Sequence, residues 1–516
     1  MDHSEKAKVQ NTLDEFALTA QDIDVKAIGA KGDGSTDDKQ AIQNAIQAAS
    51  ASASKRLVFT PGQYKLGRVQ LQFPADVTVV FQQGATLLCT LQTQLSFDGV
   101  VKAGNYQIFK DIVSLKMKSV VAGNPMWFGA KGDGTTNDTN AFKTAFKFFN
   151  QLDVPYTEGG FVIESLETFR NMTLNGVGEK KPILIPTAST YKMFNVTTGG
   201  HFSVNNFEFR MANAPKYSSA FYFDTSKSYV EKVYITNCDF YDAYYVFTDA
   251  RDKNVMMFMH FENILCKDSR FSTFDIEDFE GFIFMKNFTI DNSQSYTKHG
   301  IADGFIAIDI DDVRGCNFEN MTLIGGNTGS KNEIGFSHPG RVAMMSALFW
   351  DNVTIKDMGG YGIVCGPGQG GLVILSTFVD VNILNCGGGI KMSGALEMQF
   401  ERVLVDGNKQ SPHKFDGITI SNTAQTHLNN VVCKNNAGHG IKLNGATYSS
   451  LTDCRFVDNA GRGYIASGGS YNHLYDSTCT GNGEGQVSSA ESSSLVTNVV
   501  YTDGKAGSLN GVGQLK

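Results

Sequence analysis

Residues 427–446 read HLNNVVCKNNAGHGIKLNGA, residues 450–469 read SLTDCRFVDNAGRGYIASGG, and residues 473–485 read HLYDSTCTGNGEG. Leu428, Leu451 and Leu474 recur at one fixed interval, and Asn436, Asn459 and Asn482, like Cys433, Phe456 and Cys479, recur at the same one. Upstream, the pairs Gly362-Ile363, Gly389-Ile390, Gly417-Ile418, Gly440-Ile441 and Gly463-Tyr464 keep a similar beat. A unit this short holds two or three brief strands with their turns and has no room for a pair of helices. Within it apolar and polar residues alternate, as in Ile441-Lys442-Leu443-Asn444, so one face is buried and the other solvated. A single copy cannot bury its apolar face alone, and copies must therefore stack. Parallel strands with Asn and Gly at every corner describe a β-solenoid. Asn tolerates a left-handed backbone and can hydrogen-bond its counterpart one coil away. A β-propeller blade needs about 40–50 residues, roughly twice the period seen here, and does not fit.

The composition agrees. The 516 residues include 54 Gly against 10 Pro, with 37 Phe and 18 Tyr, a balance that favours strands and tight turns. The net charge is −8 and Lys and Arg form no dense block, so no nucleic-acid partner is expected. The start, MDHSEKAKVQNTLDEF, lacks the apolar stretch of a secretory signal, and no apolar run is long enough to span a membrane. The nine cysteines are scattered and form no CxxC pair, which points to buried thiols in a reducing cytosol, with no metal or other cofactor.

One phrase occurs twice: GAKGDGSTDD at 29–38 and GAKGDGTTND at 129–138. Ile42 and Ile46 follow the first copy on an amphipathic stripe, with Thr36 or Asp37 placed to cap a helix; Phe142, Phe146 and Phe149 follow the second. A solenoid end exposes strand edges and core, and a strand–turn–helix lid would plug it. A phosphate-cradling loop would need GxxxxGK[ST] or GxGxxG, and neither copy has that order. The phrase is a structural device and not a site.

VKAIGAKGDGSTDDKQAIQNAIQAA (25–49) resembles the opening of pectate-lyase-superfamily β-helix proteins, especially bacteriophage tailspikes that degrade bacterial surface polysaccharides. FDGVVKAGNYQIF (97–109), running later into PMWFGAKGDGTTND (125–138), resembles the same group, and with the coil repeats the likeness covers most of residues 25–485. It implies an all-β, right-handed parallel β-helix with N-terminal capping helices. The expected layout is an arm at 1–24, a small module at 25–120 too short for a full helix of its own, the main helix at 121–485, and a tail or assembly strand at 486–516. The resemblance also implies a homotrimer, attachment to a phage tail or baseplate through the arm, a place in the virion, and a bacterial surface polysaccharide as partner. A secreted bacterial enzyme of the same fold and a non-catalytic receptor-binding spike are the alternatives.

Solenoid interiors are filled, so chemistry belongs on an outer face. In STFDIED (272–278), Phe274 and Ile276 point inward and leave Asp275 and Glu277 outward. In GFIAIDIDD (304–312), Ile306, Ile308 and Ile310 point inward and leave Asp309 and Asp311 outward, on the coil next to the first. Four carboxylates on that grid can offer a glycosidic pair at about 5–5.5 Å or about 6.5–9.5 Å. The competing readings are a solvated acidic face or a calcium site. A lyase would instead need a cation for a uronate carboxylate and a base for the C5 proton. SYTKHG (295–300) and NEIGFSHPGRVAMM (332–345) supply Lys298 or Arg341 for the first, and Tyr296, His299 or His338 for the second, all expected in loops along a groove. Trp350 and the Tyr241, Tyr244 and Tyr245 cluster are candidates to stack on sugar rings. GHG at 438–440 and Asp311-Asp312 look like pieces of the polygalacturonase signature, in which the two sit about one coil apart. Here several coils separate Asp312 from His439, and His439 fills a repeat position.

Overall fold

The computed structural model describes residues 16–168, 171–197, 200–224, 230–249, 256–276, 281–300, 305–311, 313–326, 329–338, 345–366, 372–407, 409–491 and 493–501. These form two compact units, residues 16–166 with 171–187, and residues 167–168 with 188–501.

In the second unit the repeat governs the pairing. Leu428 lies opposite Leu451 and Leu451 opposite Leu474; Cys433, Phe456 and Cys479 align likewise, all on parallel strands. Ile363, Ile390, Ile418, Ile441 and Tyr464 form one continuous row. In Ile441–Asn444, Ile441 and Leu443 are buried while Lys442 and Asn444 face outward. The result is a parallel β-solenoid with two long sheets. The first receives two strand segments per coil, which meet at a corner residue in the left-handed region: Asn237, Asn263, Asn287, Asn320 and Asn352 in five successive coils. The Nδ2 of each of the last four donates to Oδ1 of the one before, at 2.9, 2.9, 3.3 and 2.8 Å. The second sheet receives one strand per coil, from Lys192–Val196 through Phe274–Ile276, Ile306–Ile310 and Ile334–His338 to Val487–Ser489.

At the other corner the two tasks expected of one Asn are divided. Asn435, Asp458 and Gly481 take the left-handed φ of 54°, 53° and 68°. The next residues, Asn436, Asn459 and Asn482, are buried and bond across coils, with Asn436 Nδ2 to Asn459 Oδ1 at 2.8 Å and Asn459 Nδ2 to Asn482 Oδ1 at 2.9 Å. Coiling continues past residue 485: Leu495–Thr497 and Val500–Tyr501 still pair with the coil before.

In the first unit the strands of residues 56–97 wind as a three-sided coil. Arg56–Phe59, Gly62–Lys65 and Val69–Phe73 lie on three different sheets, and Thr78–Phe81, Ala85–Leu88 and Thr93–Phe97 repeat the circuit directly above. Large aromatic rings make a narrow coil solid: Phe59 stacks on Phe81 at 4.8 Å and Phe73 on Phe97 at 4.2 Å. This unit also takes in the second motif and reaches residue 187, beyond the boundary expected at 120.

Both motif copies fold alike. Asp38 accepts from the Lys31 and Gly32 amides at 2.6 and 3.0 Å, and Asp138 from Lys131 and Gly132 at 2.7 and 3.1 Å. The amides a phosphate would need are thus occupied by the chain's own carboxylate. Helix Lys39–Ala51 buries Ile42, Ala45, Ile46 and Ala49; helix Thr139–Phe146 buries Phe142 and Phe146, with Phe149 just beyond. Thr36 does not cap the first helix, because Asp33 holds its amide and hydroxyl at 2.7 Å each. Asp37 accepts from the Lys39 and Gly67 amides, each at 3.2 Å, and pairs with Lys39 Nζ at 3.1 Å, while Asp38 stands at the cap position. All nine cysteines are buried and unbridged. Among the described residues no helix is long and apolar enough to cross a membrane.

Candidate active site on the second sheet

Phe274 and Ile276 are fully buried, and strand alternation therefore sets Asp275 on the opposite face. Its strand pairs in parallel with Ile306–Ile310, and Asp275 lies directly opposite Asp309. The same outward row runs from Asn195 through Tyr222 and Thr248 to this pair and continues through Ser337, Val364 and Lys391. Neighbouring strands lie about 4.8 Å apart, so the two carboxylates share one patch. Asp275 is only 6% exposed, whereas Asp309 is half-buried. Asp275 is thus enclosed and Asp309 more open.

The other acids differ. Alternation predicts Asp311 outward beside Asp309, yet it is 2% exposed. The strand ends at Ile310, alternation stops there, and the Asp311 amide donates to Ile276 O at 2.9 Å. Glu277 and Arg341 lie outside the described residues.

His338 and Trp350 require correction. His338 is in strand Ile334–His338 and not in a loop. It stands on an inward row opposite Cys365, is 2% exposed, and its Nδ1–H donates to Ile310 O at 2.7 Å. Burial holds its pKa below the ordinary value, against the pull of that bond and of Asp311, so the ring is neutral. Trp350 is wholly buried, with ring centroids 4.6 Å from Phe318, 4.9 Å from Phe336 and 5.6 Å from Phe378. It is core, and no sugar can reach it.

Tyr296, Lys298 and His299 fall together on a short helix, Ser295–His299, in the segment that leads into the Asp309 strand. Tyr296 is 50% exposed. Lys298 Nζ meets Asp242 at 2.5 Å and Asp268 at 3.4 Å, and His299 Nε2 lies 3.0 Å from the same Asp242 oxygen. Burial lowers the Lys298 pKa, but the two carboxylates outweigh it and hold the ammonium above its ordinary value. Lys298 is therefore an anchor and not a spare cation. Of the groups drawn for β-elimination, His338 is core and Lys298 is paired, Tyr296 and His299 lie on this helix, and Arg341 lies outside the described residues.

Beside this helix stands an aromatic wall. Tyr244 is buried, stacked on Phe271 at 5.4 Å and edge-on to Tyr217 at 4.9 Å and Tyr245 at 5.1 Å; Tyr217 and Phe271 present the exposed surface. Asp242, Asp268, Tyr217 and Phe271 are absent from the sequence reading. One signal for them existed: Phe240-Tyr241-Asp242 and Cys266-Lys267-Asp268 each end a strand with an acid, one coil apart. Both aspartates take the left-handed corner, at φ 59° and 55°.

His439 is structural, as its repeat position suggests. Its Nδ1 accepts from the Arg462 amide at 2.8 Å, and its own amide donates to Asp416 at 2.7 Å. Among the described residues no group of three His, Cys, Asp or Glu side chains is placed to hold a metal ion.

Residues 342–501 match the family described as the right handed beta helix region, and residues 23–107 match the family described as rhamnogalacturonase A/epimerase, pectate lyase-like. No curated protein matches the chain. Three solved structures illustrate its likenesses. Tailspike protein 3 of bacteriophage CBA120 is 10% identical at a TM-score of 0.30, over 98% of this chain and 60% of that one. The A-module of the Azotobacter vinelandii mannuronan C-5 epimerase AlgE4 is 13% identical at 0.27, over 96% and 97%. The catalytic domain of a GH87 α-1,3-glucanase, in complex with tetrasaccharides, is 11% identical at 0.42, over 74% and 68%. This chain thus spans less than two thirds of that tailspike's length.

Proposed function

We propose that this right-handed parallel β-helix is a tailspike-type depolymerase that binds a bacterial capsular or O-antigen polysaccharide and hydrolyses its glycosidic bonds with Asp275 and Asp309. The register that sets these two carboxylates opposite one another on adjacent coils carries the proposal. The pectate-lyase-like sequence at 23–107 supports a glycan as substrate. Burial favours the neutral carboxyl, so the more enclosed Asp275 is the proton donor and the more open Asp309 the carboxylate. Asp275 protonates the departing glycosidic oxygen as Asp309 attacks the anomeric carbon. Water then displaces Asp309, giving its proton to Asp275 and restoring both groups. Carboxyl groups carried on strands whose backbones lie about 4.8 Å apart suit this double displacement, with its closer pair (about 5–5.5 Å), better than a single displacement, which needs about 6.5–9.5 Å for an intervening water.

In this reading Tyr296, with Tyr217 and Phe271, flanks the glycan, and Lys298 and His299 fix the helix that carries Tyr296. The helices at 39–51 and 139–146 cover solenoid ends. The chain works as a homotrimer on a phage tail, attached through its N-terminal arm and acting on the bacterial surface, where several sites per particle give multivalent grip. Reducing ends released from purified capsule provide the test. Asp275→Asn and Asp309→Asn are each expected to lower release about 10²-fold or more. Full activity in both variants refutes the assignment. An unsaturated uronide product would point to β-elimination, and binding without any product to a receptor-binding spike.

A further inference from the structure

The outer corner of the C-terminal coils holds a cavity of about 470 Å³, on the first sheet and away from the Asp275–Asp309 row. Its size falls within the ~300–1,000 Å³ range of small-ligand sites. Leu404, Val432 and Val457 give it an apolar floor, and Arg402, Lys434 and Arg455 stand around it. Register explains the mixture. Leu404, Val432 and Arg455 occupy one outward row, and Asp406, Lys434 and Val457 the next. From one coil to the next, apolar and cationic residues thus exchange rows.

The three cations are not equivalent. Arg402 Nε and Nη2 grip Asp380 at 2.7 and 2.9 Å, and its Nη1 meets Glu401. Lys434 is 3.1 Å from Asp406. Arg455 is exposed and makes no ion pair among the described residues. In a chain of net charge −8, an uncompensated guanidinium beside an apolar floor is a distinct chemical feature.

We propose that this corner binds a uronic-acid unit of a glycan, apart from the cleavage site. The carboxylate would take the planar fork of Arg455 in two parallel N–H···O bonds, while the C–H face of the ring covers Leu404, Val432 and Val457. Arg402 and Lys434, locked by their own acids, shape the walls. The ligand class rests on the glycan reading given above; the site itself rests on cavity, register and charge. Such a corner would hold an acidic chain while a distant stretch of it is cleaved.

Calorimetric titration with a galacturonate trisaccharide and with its uncharged galactose counterpart tests this. The native protein is expected to bind the acidic sugar, more weakly as salt rises, and to bind the neutral one at least about tenfold less tightly. Arg455→Gln is expected to weaken uronate binding about tenfold or more, with an unchanged unfolding midpoint because the side chain is exposed. No uronate binding, equal binding of the neutral sugar, or equal affinity in Arg455→Gln overturns the proposal. Binding is read here without turnover and the Asp275–Asp309 reading by reducing ends, so the two can fail separately.

Discussion

Gly440 shows how closely the coils approach. A Cβ at that position would lie 2.6 Å from the carbonyl oxygen of Gly463 and 2.8 Å from Asn459 Nδ2, one coil above. The backbone oxygen has nowhere to go. Gly440→Ala is therefore expected to cost about 1–3 kcal/mol, read as a lower denaturant midpoint; an unchanged midpoint would mean that the coils are not so tightly stacked. His338 offers a pH test. Its folded pKa lies below the ordinary 6.5 because burial disfavours the imidazolium. The unfolded chain thus binds the proton more readily, and the contribution to stability, whole above pH 6.5, is lost as pH falls below it. His338→Asn is expected to flatten the decline in thermal midpoint between pH 7 and about pH 5.5; an equally steep decline would place the titration elsewhere. At this scale the sequence was legible where a repeat fixed the phase. The row from Ile363 to Tyr464 follows directly from the Gly-Ile beat. Around His338 and Trp350 no repeat was visible, and nothing in the residues themselves separates a core imidazole or indole from one lining a groove.

The short helix Ser295–His299 is held by one carboxylate shared between Lys298 and His299. Asp242→Asn removes the charge that both use. Amide exchange over 295–300 is expected to rise about tenfold, the equivalent of about 1.4 kcal/mol of local stability, while the Asn-ladder coils keep their protection. Equal protection in the variant would show that packing alone holds the helix. The helices at 39–51 and 139–146 were legible from their apolar stripes, whereas the cap residue was not. Asp33 and Asp133 each draw in two following amides, and these backbone donors hold their pKa values below the ordinary 3.8. That contribution is present above pH 3.8 and fades as the pH falls through the lowered values. Such loop hydrogen bonding depends on a turn geometry that periodicity does not encode. Asp311 marks the same limit: alternation in the sequence runs on through Asp311, but the strand stops at Ile310.

For the molecule as a whole, the short repeat dictated stacked coils with parallel strands in register. The coils of the first unit carry no sequence beat of their own, only large aromatic rings. The column brings Asp275 and Asp309, a full coil apart along the chain, to adjacent strands. That proximity has a stereochemical consequence. Proton NMR of the newly released sugar ends, recorded in the first minutes of capsule digestion, reads the anomeric configuration directly. If these two carboxylates cleave by double displacement across neighbouring strands, the first product retains the configuration of the bond that was broken. Inversion, or an unsaturated end with no anomeric product, would contradict it.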